Sequence, residues 1–264
     1  MKNTVATPCV EIIDFHTHPF IDAENYFCIY KESVDADVNT MISDMDAAGI
    51  SRFCGSVIRK RRDGEGFEVL QKLNRDALKL RDIYGEKYIP GIHVHPDFVE
   101  ESADEIKLAA KSGVKLIGEL VPYMHGWKDY SCKGFSDILD VAEKYGMVVS
   151  LHVGDHEQMI KMASEHKNVN FVIAHPGERE RALKHIEAMK QYDNMYLDLS
   201  GGGMFRYGLV RYLCDKVGAE RILFGTDYPI CNLQMYVGAI MGERLTDRER
   251  ELIFSGNAKR LLGL

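Results

Sequence analysis

Asp14-Phe15-His16-Thr17-His18-Pro19 is the stretch whose reading decides the fold. It closes the apolar run Val10-Glu11-Ile12-Ile13, and together they read as a short strand ending in a histidine pair. Side chains two apart on a strand leave the same face, so His16 and His18 aim at one place. Pro19 lacks an N–H and helps to stop the strand there. Two neutral imidazoles set that way at a strand's C-terminal end suit one divalent ion. H-x-H is also short enough to arise by chance, and two packed or exposed histidines would give the same pattern. The rest of the chain decides between these readings.

Outward from that stretch, short apolar runs alternate with longer amphipathic segments, the pattern of βα units and a parallel sheet. After the first strand comes a polar, aromatic loop, 20–36, long enough to form a lid or rim. Further strands are expected at 52–58, 88–94, 114–121, 147–153, 169–174, 195–199 and 221–225. Helices are expected at 38–48, 68–84, 101–111, 135–145, 157–166, 180–191 and 209–217, with two more at 233–241 and 247–262. Eight strands, each followed by a helix, predict an α/β chain folded as a single (β/α)₈ TIM barrel with extra C-terminal helices. It would span 1–264, with 1–9 as a tail. An open doubly wound sheet is the alternative, but no G-x-G-x-x-G follows the first strand.

The formal net charge of −7 argues against a nucleic-acid binder, which usually carries a basic face. No run of ~18 apolar residues predicts a membrane span. Met1 to Pro8 lacks the apolar core of a secretory signal. The six cysteines (Cys9, Cys28, Cys54, Cys132, Cys214, Cys231) contain no C-x-x-C pair, which fits reduced thiols. A cytoplasmic enzyme acting on a small molecule is expected, and a homo-oligomer is compatible with this.

Candidate ligands collect at one kind of place. His16 and His18 end strand one, Glu119 sits near the end of strand four, His152 ends strand five, His175 ends strand six and Asp227 ends strand eight. In a barrel those ends meet at one mouth, where active sites of the fold are found. Histidines with packing roles alone have no reason to choose that end each time. Nitrogen and oxygen donors without thiolate suit zinc, manganese or iron(II). Around the same mouth, Arg59 opens the basic run Arg59-Lys60-Arg61-Arg62, and guanidinium binds carboxylate or phosphate bidentately. His95 closes a second H-x-H, His125 and Trp127 lie on the 122–133 loop, and Arg206 follows the strand-seven glycines. These five are expected as substrate contacts, against the plainer roles of solvated loop residues and structural histidines.

Taken together, Asp14-Phe15-His16-Thr17-His18, Leu151-His152-Val153, Ala174-His175-Pro176, Gly225-Thr226-Asp227-Tyr228-Pro229 and the tail 256–264 resemble the amidohydrolase superfamily, in particular its amidohydrolase-related branch. The resemblance covers nearly the whole chain. It implies that His16, His18, His152 and Asp227 ligate a metal, most readily zinc, with manganese or iron as alternatives. It also implies that Asp227 and His175 carry the acid/base work. One ion is favoured. In two-metal members Glu119 and His175 would bind the second, and Glu119 resembles the bridging carboxylate of TatD-like deoxyribonucleases. The leading expectation is metal-dependent hydrolysis of a small amide, lactone or ester through a metal-activated water. The alternatives are decarboxylation of a small unsaturated or aromatic acid, which that branch also contains, a TatD-like deoxyribonuclease, and a non-catalytic barrel.

Overall fold

Ile13–Thr17 forms the first strand, β1, one turn of sequence later than the apolar run alone suggests, so that His16 lies within it and His18 just beyond. The computed structural model describes residues 10–22, 25–34 and 36–264. The expected tail 1–9, with Cys9 and the reading of its leader character, lies outside the described residues, as do positions 23, 24 and 35 of the rim loop.

From β1 the chain runs through α1 (Val38–Ala48), β2 (Arg52–Gly55), α2 (Glu68–Tyr84), β3 (Tyr88–Ile92), α3 (Val99–Lys111) and β4 (Leu116–Leu120). It continues through α4 (Pro122–His125), α5 (Lys133–Lys144), β5 (Val148–Leu151), α6 (His156–Glu165), β6 (Asn170–Ile173), α7 (Arg179–Gln191) and β7 (Met195–Asp198). α8 (Leu209–Val217), β8 (Ile222–Leu223), α9 (Leu233–Gly242), α10 (Asp247–Glu251) and α11 (Asn257–Leu262) complete it. The eight strands pair in chain order and in parallel. Beyond β8 the backbone closes the ring onto β1: Phe15 N–H donates to the Phe224 carbonyl at 2.9 Å and His18 N–H to the Tyr228 carbonyl at 2.7 Å. Asp14 clamps the same seam, accepting from the Thr226 hydroxyl at 2.6 Å and from the Thr226 N–H at 3.0 Å. The expected (β/α)₈ TIM barrel with extra C-terminal helices is the observed fold.

Its interior is packed, not hollow. Ile13, Cys54, Leu116, Val148, Val172, Tyr196 and Leu223 come from seven strands, with half-buried Ile89 from β3, and meet in one small core. Ala258, Leu261 and Leu262 of α11 join that core, so this helix plugs the N-terminal end of the barrel. The larger core lies between strands and surrounding helices and follows the apolar stripes of α2 (Leu70, Leu73, Ala77, Leu80) and α5 (Phe135, Ile138, Leu139, Ala142). With one end sealed by apolar contact, polar side chains at the strand C-termini can gather only at the other.

Two expectations are refined. The 122–133 segment, read as a loop, opens with the short helix α4, where Pro122 occupies the first turn and Gly126 ends it at φ 85°. The single helix expected at 247–262 is interrupted by a π-helical turn, Leu252–Gly256. The Ile253 carbonyl accepts from Phe224 N–H at 2.9 Å, so the helix locally gives up its own ladder to hold the end of β8. Among the described residues no helix is long and apolar enough to cross a membrane.

Candidate active site

Glu119, on β4 and only 5% exposed, is the hub of the mouth. Its Oε2 lies 3.4 Å from His16 Nε2 and 3.5 Å from His18 Nε2. Its Oε1 lies 2.9 Å from His152 Nδ1 and 3.3 Å from His175 Nε2. Asp227 Oδ1 stands 3.3 Å from His18 Nε2 and 3.7 Å from His16 Nε2. Six residues from five strand ends thus converge as expected. Their delivery is local geometry: His175 and Asp227 both sit at left-handed φ, 67° and 68°, where the chain turns sharply off β6 and β8. Non-glycine residues adopt that conformation rarely, and where they do the surroundings hold it in place.

The imidazoles are held from behind. His16 Nδ1 donates to Asp198 Oδ2 at 2.9 Å, and His18 Nδ1 donates to the Ser56 carbonyl at 3.3 Å. With a proton engaged on Nδ1, each ring turns its Nε2 to the centre, where a bound cation would replace the proton that the ion-free ring holds there, the arrangement that metal-ligating histidines use. Ligand atoms of His16, His18 and Asp227 lie within 4.8 Å of one another, as do those of His16, Glu119 and His175. Those spacings suit donors about 2.0–2.2 Å from a shared ion. His16 Nε2 and Asp227 Oδ1 are buried and without a hydrogen-bond partner. Leaving such atoms unsatisfied costs about 1–3 kcal/mol each, and a cation between them would satisfy both. The residues fit a divalent ion. His152 differs from the expectation in its surroundings: the structure brings it onto Glu119 and into neither of the two donor groups.

Electrostatics follow from this crowding. Burial opposes ionisation of Glu119, but the charge of His16 and hydrogen bonds from His152, His16 and His175 hold its carboxyl well below the usual range. Burial also works against protonation of His18, yet its bonds to Asp227 and Glu119 outweigh this and lift it to about 9. Asp198 is fully buried; desolvation resists its charge and the His16 imidazole overcomes that, so it stays below its ordinary value.

The expected substrate contacts sort by partner. Arg59 pairs with Glu65 at 3.0 and 3.1 Å. Arg206 is exposed, sits over Phe205 and pairs with Glu178 at 3.2 Å. His125 and Trp127 are buried: His125 meets His93 edge-on, and Trp127 packs on Tyr130 and Phe135. His95 is buried as well, and its Nδ1 accepts from Asp97 N–H at 3.1 Å. Neutral His95 therefore carries its proton on Nε2 and donates it to the His125 carbonyl at 3.0 Å. Arg61 Nη1, 3.0 Å from that same Nε2, faces a donor rather than an acceptor. Arg61 is only half-buried, lies over the Phe98 ring and has no carboxylate within ion-pair distance among the described residues. It lines a cleft of about 490 Å³ with Phe27, Arg59, Lys60, Arg62 and Asp63. A smaller recess of about 160 Å³ runs from Tyr123, Trp127 and Tyr130 to His152.

Sequence reasoning named the basic run but not Arg61 within it, and it passed over Asp198 and Ser200. The signal was present: in Leu197-Asp198-Leu199-Ser200 two polar residues interrupt the apolar end of strand seven, between strand ends that carry the candidate ligands His175 and Asp227.

Comparison with known proteins bears on the fold and the family. No curated protein sequence matches the chain. Among solved structures, 2,6-dihydroxybenzoate decarboxylase from Rhizobium is similar with a TM-score of 0.73 at 15% identity, over 96% of this chain and 99% of the other. A variant of 5-carboxyvanillate decarboxylase from Novosphingobium aromaticivorans, with bound manganese, gives 0.77 at 14% identity, over 97% and 98%. A probable 2-pyrone-4,6-dicarboxylic acid hydrolase from Acinetobacter baumannii gives 0.69 at 16% identity, over 96% and 100%. At these identities the likeness carries the fold. A family model described as Amidohydrolase matches residues 13–264, nearly the whole described chain, and the protein belongs to that family.

Proposed function

We propose that the protein is a metal-dependent decarboxylase of a small aromatic or unsaturated carboxylic acid. The observation that carries this reading is Arg61, a guanidinium without a carboxylate partner among the described residues, lining a basic cleft after β2, on the barrel end that gathers His16, His18, Glu119 and Asp227. The decarboxylases with the same fold support it. His16, His18 and Asp227 would hold a zinc or manganese ion, with Glu119 beside them. Bound there, the ion would supply Lewis-acid charge against the substrate's oxygens. Arg61 binds an anionic group of the substrate and orients it. His175, having taken up a second proton at Nε2 beside Glu119 Oε1, delivers it to the carbon that loses carbon dioxide and returns to the neutral ring, and Asp227 Oδ1 faces the same space. Burial of the four central side chains excludes bulk water from the reacting atoms. The five described cysteines are free, in keeping with a cytoplasmic place.

Hydrolysis of an amide, lactone or ester is the second reading, favoured by Glu119, a buried carboxylate among imidazoles suited to orienting a water. Incubation of metal-loaded protein with a panel of hydroxybenzoates, unsaturated acids, lactones and esters separates the two. Carbon dioxide release with no ¹⁸O from labelled water in the organic product supports decarboxylation. Labelled acid product without carbon dioxide supports hydrolysis instead.

A further inference from the structure

We propose that Asp198 and Ser200, at the end of β7, act as one positioning unit that fixes the tautomers of His16 and His175 together, keeping both Nε2 atoms open to the centre. The inference rests on the metal-centre reading for its purpose, but its geometry is independent of any ion.

Asp198 is fully buried and can only accept when ionised. Its Oδ2 takes the His16 Nδ1 proton at 2.9 Å. Its Oδ1 takes the Ser200 N–H at 3.0 Å and makes a close contact with the Ser200 hydroxyl. An ionised carboxylate oxygen only accepts, so the hydroxyl donates to Asp198. Its single proton is then committed. Ser200 Oγ also lies 3.0 Å from His16 Nδ1 and 2.9 Å from His175 Nδ1, and with no proton left to give it can only accept at either ring. His175 therefore carries its proton on Nδ1. Its Nε2, 3.3 Å from Glu119 Oε1, is the atom free to exchange a proton or meet a cation. One carboxylate thus sets two imidazoles, the nearer directly and the farther through a hydroxyl. The backbone is built for this approach: a Cβ on Gly201, at φ 61°, would stand 2.3 Å from His175 Nδ1, and one on Gly225 would stand 2.9 Å from the His16 Cβ.

Ser200→Ala removes the relay and leaves Asp198 on His16. Ser200→Thr restores the hydroxyl. Asp198→Asn turns an amide NH₂ toward Ser200, so the hydroxyl must donate to His175 Nδ1 and drive that proton to Nε2. Two readouts are needed: ¹⁵N–¹H long-range spectra of the imidazoles in metal-stripped protein at alkaline pH, where the rings are neutral, and zinc affinity by chelator competition. The expected result is Nδ1–H for His16 and His175 in the parent, loss of that preference at His175 alone in Ser200→Ala, and its return in Ser200→Thr. Zinc affinity should fall ~10–100-fold in Asp198→Asn, in line with other outer partners of metal histidines. A His175 tautomer that is unchanged in Ser200→Ala, or that sits on Nε2 in the parent, overturns the proposal. Should Asp198→Asn fail to fold, the serine pair decides alone. If the tautomers behave as described while zinc does not bind the parent, the metal reading fails and the positioning unit stands.

Discussion

Arg61 and His95 share a short contact that looks like a bond until protons are counted. Because Asp97 N–H occupies His95 Nδ1, the ring presents N–H to the guanidinium, and Arg61 keeps its charge for something else. Replacing Arg61 with Met should raise KM for a carboxylated substrate ~10–100-fold with little change in kcat, since a hydrogen bond to a charged group is worth about 1.5–3 kcal/mol. Steady-state kinetics check this; an unaltered KM would remove Arg61 from the binding site. His16, His18, Glu119, His175 and Asp227 were legible in the sequence because each combines a chemically informative side chain with a place at a strand end. Arg61 was not separable from Arg59, because what distinguishes them is the company each keeps: Glu65 for one, a buried imidazole for the other. Asp198 and Ser200 were hidden for a related reason, since an aspartate at a strand end reads as a turn former until the ring it serves is beside it.

At the scale of elements, periodicity located strands and helices well, and the departures come from hydrogen bonds between distant segments. β8 is only Ile222–Leu223 because the next backbone groups bond to β1 and to the π turn at Leu252–Gly256. No local pattern announces that exchange. The terminal helices carry their own tie to the barrel's ring. Thr246 and Glu249 form a capping box on α10, and Glu249 also receives Arg211 of α8 at 2.9 Å. The Arg211 hydrogen bond first, then the Thr246 N–H, hold Glu249 down to about 2 from an ordinary 4.5. A carboxylate depressed on folding adds stability above its unfolded value and loses it as pH falls toward its folded one. Glu249→Gln should therefore melt below the parent at pH 7, with the gap closing between 4.5 and about 2. Thermal melts across that range test it, and a gap that widens on acidification would contradict the assignment.

For the whole molecule, the governing fact is that a barrel sealed by apolar layers at one end concentrates polar strand ends at the other. Its closure tolerates little added volume. A Cβ on Gly55 would fall 1.8 Å from the Thr17 carbonyl oxygen, between β1 and β2 and next to both histidines of the opening motif. Gly55→Ala should cost about 3 kcal/mol, at the upper end of overpacking effects, and loosen the His16–His18 geometry with it. A urea midpoint equal to the parent's would show that the seam is softer than described. Removal of an exposed surface charge such as Lys107 should have no comparable reach, because it does not touch the seam.

The proposed function depends on one cation held jointly by His16 and His18 of β1 and by Asp227 in the turn after β8, with the β4 carboxylate beside it. Elemental analysis of the protein, purified and then dialysed after loading with zinc or manganese, tests this most directly when the parent is compared with His16→Asn combined with Asp227→Asn. The expected result is stoichiometric metal in the parent and near none in the folded double variant. Equal metal content in the two proteins, or none in the parent after loading, would contradict the account.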